Sequence, residues 1–444
     1  MAYKTFQPPT EWTPPDIFPT QKLRDADEIA VDLETRDPNL KSKGPGYIRG
    51  DGEIVGVSVA CDGYADYFPF AHEAGFNFPK KRVLQFVKDI VSGDNDKVFH
   101  NAMYDVGWLR QAGVEVKGRV VDTMVVAPLI NENMYWYTLN SLGIEYLQEG
   151  KSEAELRQAA EEWGVDPKAE MWRLPSAYVG TYATQDAALT LKLWNHFKIH
   201  LEDQNLWNIF NLETDLFPVL FNMKTTGVRV DLERADQLKK QLVKQEEKTL
   251  KDVEKESGIK DVRVWAANSV AQVFDACKIP YSHTAKGNPS FTKAFLANQE
   301  HPVAQMIMRV RELNKAHKTF IDTIIKHEHN GRIHADIRQL KGEAGGTVTG
   351  RLSMSNPNLQ QVPARDKELG PLIRSLFLPE EGQKWCSADF SQQEPRILTH
   401  FAYRSRYEGV DPIAEAFIAG EADFHQEVAR LAGIDRKTAK TIGL

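Results

Sequence analysis

Residues 28–35 read EIAVDLET. The part Glu28–Leu33 is an apolar run ending in acids, which suits a strand. In an extended strand residues i and i+2 point to the same side. Asp32 and Glu34 therefore face one way, within reach of a single cation. Downstream, Lys97–Phe99 leads into HNAMYDVGWL (100–109), with Asp105 at the start of a helix-like stretch, Met103–Ala112. Helical periodicity returns at Ser152–Trp163 and Tyr178–Leu201, and the second stretch holds YATQDAALT (182–190). Tyr182 and Asp186, spaced i and i+4, share one helix face. Ile54–Ala60 alternates loosely, as a half-buried strand does, and Tyr67–Phe70 follows the turn Asp62-Gly63. Strands followed by helices predict an α/β domain over 25–205, behind a proline-rich lead-in, 1–24.

Four carboxylates and a tyrosine in this order suit phosphodiester hydrolysis at a two-metal site. All-oxygen ligands favour Mg²⁺, with Mn²⁺ as the alternative. Two ions about 3.5–4 Å apart activate a water and stabilise the leaving oxygen. The Tyr182 hydroxyl is placed to orient that water.

Composition narrows the class. The chain has 444 residues, 42% hydrophobic and 26% charged, a balance that excludes disordered, collagen-like and coiled-coil proteins. The longest apolar runs, such as Val125–Ile130, fall far short of the ~18 residues of a membrane span. The N-terminus carries many prolines and no apolar signal core, so no secretory signal is expected. Cys61, Cys277 and Cys386 are scattered and form no CxxC pattern, which fits a reducing cytosol. Net charge is 55 − 62 = −7. Residues 304–374 hold 12 Lys/Arg against 7 Asp/Glu, a local +5, which leaves −12 for the rest. That stretch is either a DNA-facing element or a solvated helix face.

From about 206 the pattern turns helical: Leu216–Met223, Leu238–Val253, Trp265–Cys277 and Val303–Lys326. TGRLSMSNPNLQQVPAR (349–365) is rich in Asn, Gln and Arg, side chains that bond phosphates, sugars and base edges. In WCSADFSQQEPRILTHF (385–401), a strand over Lys384–Ser391 would deliver Asp389 at its end. Ser391 would cap the next helix, with Glu394 completing a capping box. Pro395 is tolerable only in that helix's first turn.

The ordered set DLET, HNAMYD and YATQD resembles the three exonuclease motifs of DEDDy-type 3′–5′ exonucleases, which have an RNase H-like fold. The resemblance implies Asp32, Glu34, Asp105 and Asp186 as metal ligands, Tyr182 beside the nucleophilic water, and Asn101 at the substrate strand. The second half resembles family A DNA polymerases of the bacterial polymerase I class, also common in phages. NLETDLFPVLFNMKTTGVRVD (211–231) and RELNKAHKTFID (311–322) resemble the start and return of a thumb. Residues 349–365 resemble the primer-template loop, and DFSQQEPRILTHF (389–401) resembles polymerase motif A.

This likeness implies a mostly helical thumb (206–340), then a first palm segment and the start of the fingers (341–444). It implies Asp389, with the Phe390 carbonyl, as catalytic metal ligand, and Glu394 as the gate against ribonucleotides. Arg351, Asn358, Gln360 and Arg365 would touch primer and template. IDRKTAKTIGL (434–444) resembles the start of motif B, with Arg436 and Lys440 on the nucleotide phosphates. Leu444 falls where the family commonly has Phe or Tyr. Phe390, Gln393 and Pro395 replace the usual Tyr, Ile and Leu, and none removes a catalytic group.

The implied partners are primer-template DNA, single-stranded 3′ ends and dNTPs, in the cytoplasm of a bacterial or phage-infected cell. Motif C is not found in these residues, and no 5′-nuclease region is expected before residue 25. DNA synthesis is therefore expected to need a second polypeptide that completes a split, phage-like polymerase, unless the chain is the truncated product of an interrupted gene. The alternative is a stand-alone 3′–5′ exonuclease whose polymerase remnant only grips DNA.

Overall fold

The computed structural model describes residues 10–342, 345–364, 366–420 and 423–442. Arg365 and Leu444, both singled out above, lie outside the described residues. The chain packs as two compact units, Met1–Leu378 and Pro379–Leu444.

The first unit opens with a five-stranded sheet: β1 (Glu28–Arg36), β2 (Glu53–Cys61), β3 (Tyr64–Pro69), β4 (Asp96–Phe99) and β5 (Val120–Asp122). Their order is β3-β2-β1-β4-β5. β2 runs antiparallel to β1 and β3, while β4 and β5 run parallel to β1. β1 is central, and its alternation sorts side chains between two cores. Ile29, Val31 and Leu33 join the cluster under the helix Lys80–Val91, with Phe86, Val87 and Ile90. Ala30 joins the opposite cluster with Leu189, Leu193, Trp194 and Phe197 of the helix Ala177–Asp203. Each fully buried aliphatic side chain contributes ~1.5–3 kcal/mol. The same alternation puts Asp32 and Glu34 on the face that meets Ala177–Asp203.

β2 is buried on both faces, not half-buried as its loose alternation suggests, because helices cover both sides of the sheet. Gly56 lies opposite Glu34 in the ladder. A Cβ there would sit 2.0 Å from the Tyr67 hydroxyl, so glycine lets that buried ring pass beneath the site. The helix Lys80–Val91 and the three-residue β5 were not anticipated.

Two long helices dominate residues 206–340: Trp207–Thr226 and Leu232–Ser257. The second starts at Asp231, whose side chain accepts from the Arg234 N–H, and ends at Gly258 in the left-handed region. The single helix expected over Val303–Lys326 is instead Pro302–Lys315, a π turn Ala316–Ile321, and Asp322–His327. Buried His317 in the π turn bonds Glu246 on Leu232–Ser257, and Asn314 Nδ2 reaches the same carboxylate at 2.8 Å. Residues 341–378 stay with this unit. Phe377–Leu378 pairs with Val228–Val230, and Leu369, Ile373 and Leu376 share a core with Leu238 and Ile333.

Among its described residues the second unit holds four helices: Gln393–Arg404, Asp411–Ala419, Phe424–Ala432 and Arg436–Ile442. The strand expected over Lys384–Ser391 is irregular, with Trp385 61% and Phe390 80% exposed. A strand needs a hydrogen-bonded neighbour, and the described residues of this unit offer none. Ser391 is not the helix cap: Gln392, at φ 53°, takes that position, and its Oε1 accepts from the Phe424 N–H at 2.9 Å and not from its own helix. Pro395 does fall in the first turn. Among the described residues no helix is long and apolar enough to cross a membrane.

Candidate active site

β1 and the helix Ala177–Asp203 bring three separated carboxylates together. Ligand oxygens of Asp32, Glu34 and Asp186 lie within 4.8 Å of one another. This is the only group of three or more such side chains among the described residues. Asp105, one turn into the helix Ala102–Gln111, is buried beside them but outside that group. Its Oδ1 accepts from the Leu33 N–H at 3.1 Å, which ties the helix to β1 between the two strand acids. The Ser58 hydroxyl donates to Asp32 Oδ2 at 3.4 Å from the paired position on β2.

Two residues missed in the sequence complete this geometry. Lys151 Nζ lies 2.5 Å from Asp186 Oδ2 and donates to the Tyr182 hydroxyl at 3.1 Å. Asp122, at the end of β5, accepts from the backbone N–H groups of Asn101, Ala102 and Met124 at 2.8–2.9 Å. It thereby fixes the turn, left-handed at Asn101, that aims the Asp105 helix. Neither residue belongs to a legible motif; each gains meaning only through tertiary neighbours.

The electrostatics are those of an undercompensated acidic pocket. Burial, then the charge of Asp186, raises the Asp32 carboxyl to about 7 against the pull of Lys151. Burial, then Asp32, pushes Glu34 well above its usual range. Burial, then Asp32 and Asp122, does the same for Asp105. Burial also raises Asp186, opposed by Lys151. Asp186 Oδ1 is buried without a hydrogen-bond partner. An orphaned carboxylate oxygen among crowded oxygen donors fits a hard divalent cation.

These raised carboxyls set a pH dependence for the metal-free chain. The folded protein keeps protons that the unfolded chain gives up near pH 4, so stability falls as pH rises. Buried His72, held at about 4, and half-buried His100, held at about 3, act in the opposite sense. Their contribution ends above the ordinary histidine pKa, ~6.5. In EDTA the unfolding free energy is therefore expected to fall from pH 6.5 to 8, by up to ~1.4 kcal/mol per pH unit for each retained proton, and the thermal midpoint with it. Excess Mg²⁺ is expected to remove the drop. A flat midpoint in EDTA, read by thermal scans, would refute the undercompensated pocket.

The site opens into a cleft of about 1190 Å³. One wall is the exonuclease-like region, with Asp32, Glu34, Asn101, Tyr104, Lys151, Lys168 and Asp186. The other wall comes from the strand and loop Asp336–Leu340, with Gly342 and Asn356.

The polymerase-like candidates are more dispersed. Arg351 is exposed, Asn358 caps the turn Leu359–Gln361, and Gln360 Nε2 donates to the Leu352 carbonyl at 2.9 Å. Asp389, Phe390 and Glu394 are exposed, and Asp389 joins no group of three or more ligand side chains among the described residues. Arg436 and Lys440 lie on one helix, Arg436 paired with Asp423 at 2.8 Å.

Comparison with known proteins now decides the family. The pattern of the 3′–5′ exonuclease matches residues 19–202, and that of DNA polymerase family A matches residues 232–442. A DNA-directed DNA polymerase of Pseudomonas phage M6 is 35% identical over all of this chain and 71% of its own length. The chain belongs to the family A DNA polymerases. The DNA polymerase DpoZ of Salmonella phage PMBT28 is 31% identical, over 96% of this chain and 69% of its own. DNA polymerase I of Pseudomonas aeruginosa is 28% identical over 95% of this chain and 46% of its own. The fold of this family A polymerase chain resembles the POL domain of Pol1 from M. smegmatis, solved with DNA primer-template and dNTP. The match has a TM-score of 0.71 at 22% identity, over 97% of this chain and 70% of that one.

Proposed function

We propose that this polymerase chain removes 3′-terminal nucleotides from DNA primers at the Asp32–Glu34–Asp186 cluster. The observation that carries this reading is the convergence of the three carboxylates, with Tyr182 beside them, at the floor of a cleft. Asp32, Glu34 and Asp186 would hold Mg²⁺ or Mn²⁺, with Asp105 as a further ligand. When bound, the cations supply positive charge at the attacking and leaving oxygens. The chain's own groups do the positioning. Tyr182 directs its hydroxyl at the attacking water. Water adds to the terminal phosphorus, the bond to the penultimate 3′ oxygen breaks, and a proton restores that hydroxyl. Asn101 at the cleft rim meets the departing strand.

The remaining assignments rest on the resemblance. Asp389 and the Phe390 carbonyl would hold the synthetic metals, and Glu394 would exclude the ribose 2′-hydroxyl. Arg436 and Lys440 would bind the triphosphate, and Arg351, Asn358 and Gln360 the primer-template. Two-metal phosphoryl transfer needs a second carboxylate beside Asp389. Among the described residues Asp389 joins no group of three or more ligand side chains. We place the second acid on a separate polypeptide that completes the polymerase.

One gel tests both parts. The 444-residue polypeptide, given a 5′-labelled primer with a 3′ mismatch, template, Mg²⁺ and dNTPs, is expected to shorten the primer without extending it. Extension would refute the need for an outside carboxylate, and an intact primer would refute the exonuclease assignment.

Tyr135 and Trp136 are 79% and 55% exposed, edge to face at 4.9 Å. Lys341 Nζ donates to the neighbouring Met134 carbonyl at 2.8 Å, so the aromatic pair borders the wall-forming segment. We read the pair as a stacking step for frayed bases. At ~1–3 kcal/mol per stacked base, replacing both by Ala is expected to weaken single-strand binding about tenfold or more. Fluorescence anisotropy in EDTA would show it; unchanged binding removes the pair from the DNA path.

A further inference from the structure

Lys151 brings a cation into the acidic cluster without belonging to the carboxylate motifs. Its side chain is 11% exposed, and its ammonium lies 4.7 Å from the centre of the Tyr182 ring. The position is built from both sides. The Lys151 N–H donates to Asn140 Oδ1 at 2.8 Å. The next N–H, of Ser152, donates to Gln185 Oε1 at 2.6 Å, and Gln185 Nε2 donates to the Gly150 carbonyl at 3.0 Å. Gln185 sits between Tyr182 and Asp186, so the clamp on Lys151 and the site it enters share one helix.

Three carboxylates this close cannot all ionise without positive charge among them. Lys151 supplies it, at Asp186 Oδ2. A divalent cation drawing on the same oxygens meets both the ammonium's occupancy and its repulsion.

We propose that Lys151 is the resident counter-ion of the metal-free cluster, and that divalent-cation loading requires its ammonium to leave Asp186. Lys151 is thus a positioning residue, which holds the carboxylates and the Tyr182 hydroxyl in place until metal arrives. The proposal rests on the metal-binding reading of the cluster given above.

The test is calorimetric titration of Mn²⁺ into the EDTA-stripped 444-residue chain, with K151M and K151R alongside. K151M is expected to bind Mn²⁺ about tenfold tighter or more, with a lower metal-free unfolding midpoint that Mn²⁺ restores. K151R, which keeps the charge, is expected to stay close to the wild type. Equal or weaker affinity in K151M, or equal tightening in K151R, overturns the proposal while leaving the metal site standing. If neither wild type nor K151M binds Mn²⁺, the metal reading fails and the proposal with it. The unmutated chain gives an independent readout. Lysine modification followed by mass spectrometry is expected to find Lys151 more reactive with Mn²⁺ than in EDTA; unchanged or lower reactivity overturns the proposal.

Discussion

Replacing Asp32 and Glu34 together by alanine is expected to slow 3′-end degradation by about three to four orders of magnitude, a loss of ~5 kcal/mol of transition-state stabilisation. The two residues supply most of the oxygen donors on the β1 side of the cluster. Their removal leaves Asp186 without the partners that could share a cation with it. The fold should survive. Both carboxyls are raised by burial and by neighbouring acids, so the metal-free protein loses repulsion when they go. The Lys151–Asp186 pair stays balanced. Single-strand binding should be retained or tightened, because negative charge leaves the cleft while Arg157, Lys168 and Arg338 remain along it. The check pairs a time course on a 5′-labelled oligonucleotide with anisotropy on the same strand. Undiminished degradation would sink the site assignment; lost binding would point to misfolding instead.

The second large effect concerns a charge pair away from the chemistry. Lys224, on the helix Trp207–Thr226, is 5% exposed and lies 2.5 Å from Asp336 Oδ1. Asn356 Nδ2 donates to the other oxygen of Asp336 at 2.9 Å, and the ammonium lies 5.4 Å from the centre of the Tyr47 ring. Four separate segments meet at this ion pair. Removing one partner of a buried pair strands the other, at a cost of ~3–5 kcal/mol, whereas replacing both with apolar groups is often neutral. Lys224→Met is therefore expected to destabilise the chain by about that amount, and the double change with Asp336→Leu to recover most of it. Urea unfolding of the four proteins in the cycle is the measurement. Equal midpoints for Lys224→Met and the wild type would show that the pair carries no net stabilisation.

What the sequence made legible was the part encoded by short-range periodicity. Asp32 and Glu34 share a side because strand side chains alternate. Tyr182 and Asp186 share a face because helical neighbours lie four apart. Lys151 was illegible because its role depends on a loop that Asn140 and Gln185 fold back, and nothing local marks that loop. Asp122 was illegible because a three-residue strand carries too little pattern. The segment 384–391 shows the opposite failure. Its apolar residues read as a strand, but pairing is a property of neighbours, and among the described residues of its unit no strand adjoins it. Ser391 and Glu394 likewise had the spacing of a cap, yet the helix starts one residue too late to use it.

The cleft over the carboxylates has one bank from the α/β sheet region and one from Asp336–Leu340, Gly342 and Asn356. That shared bank limits how the two halves can change by descent. A recombination event that imported residues 25–205 from a distant relative would arrive with a channel fitted to a different opposite bank. On the proposed function, substitutions around Asp336 and Arg338 would reshape the channel for nucleotide removal. The two halves should exchange between lineages as one block, with junctions outside residues 25–356 rather than near 206.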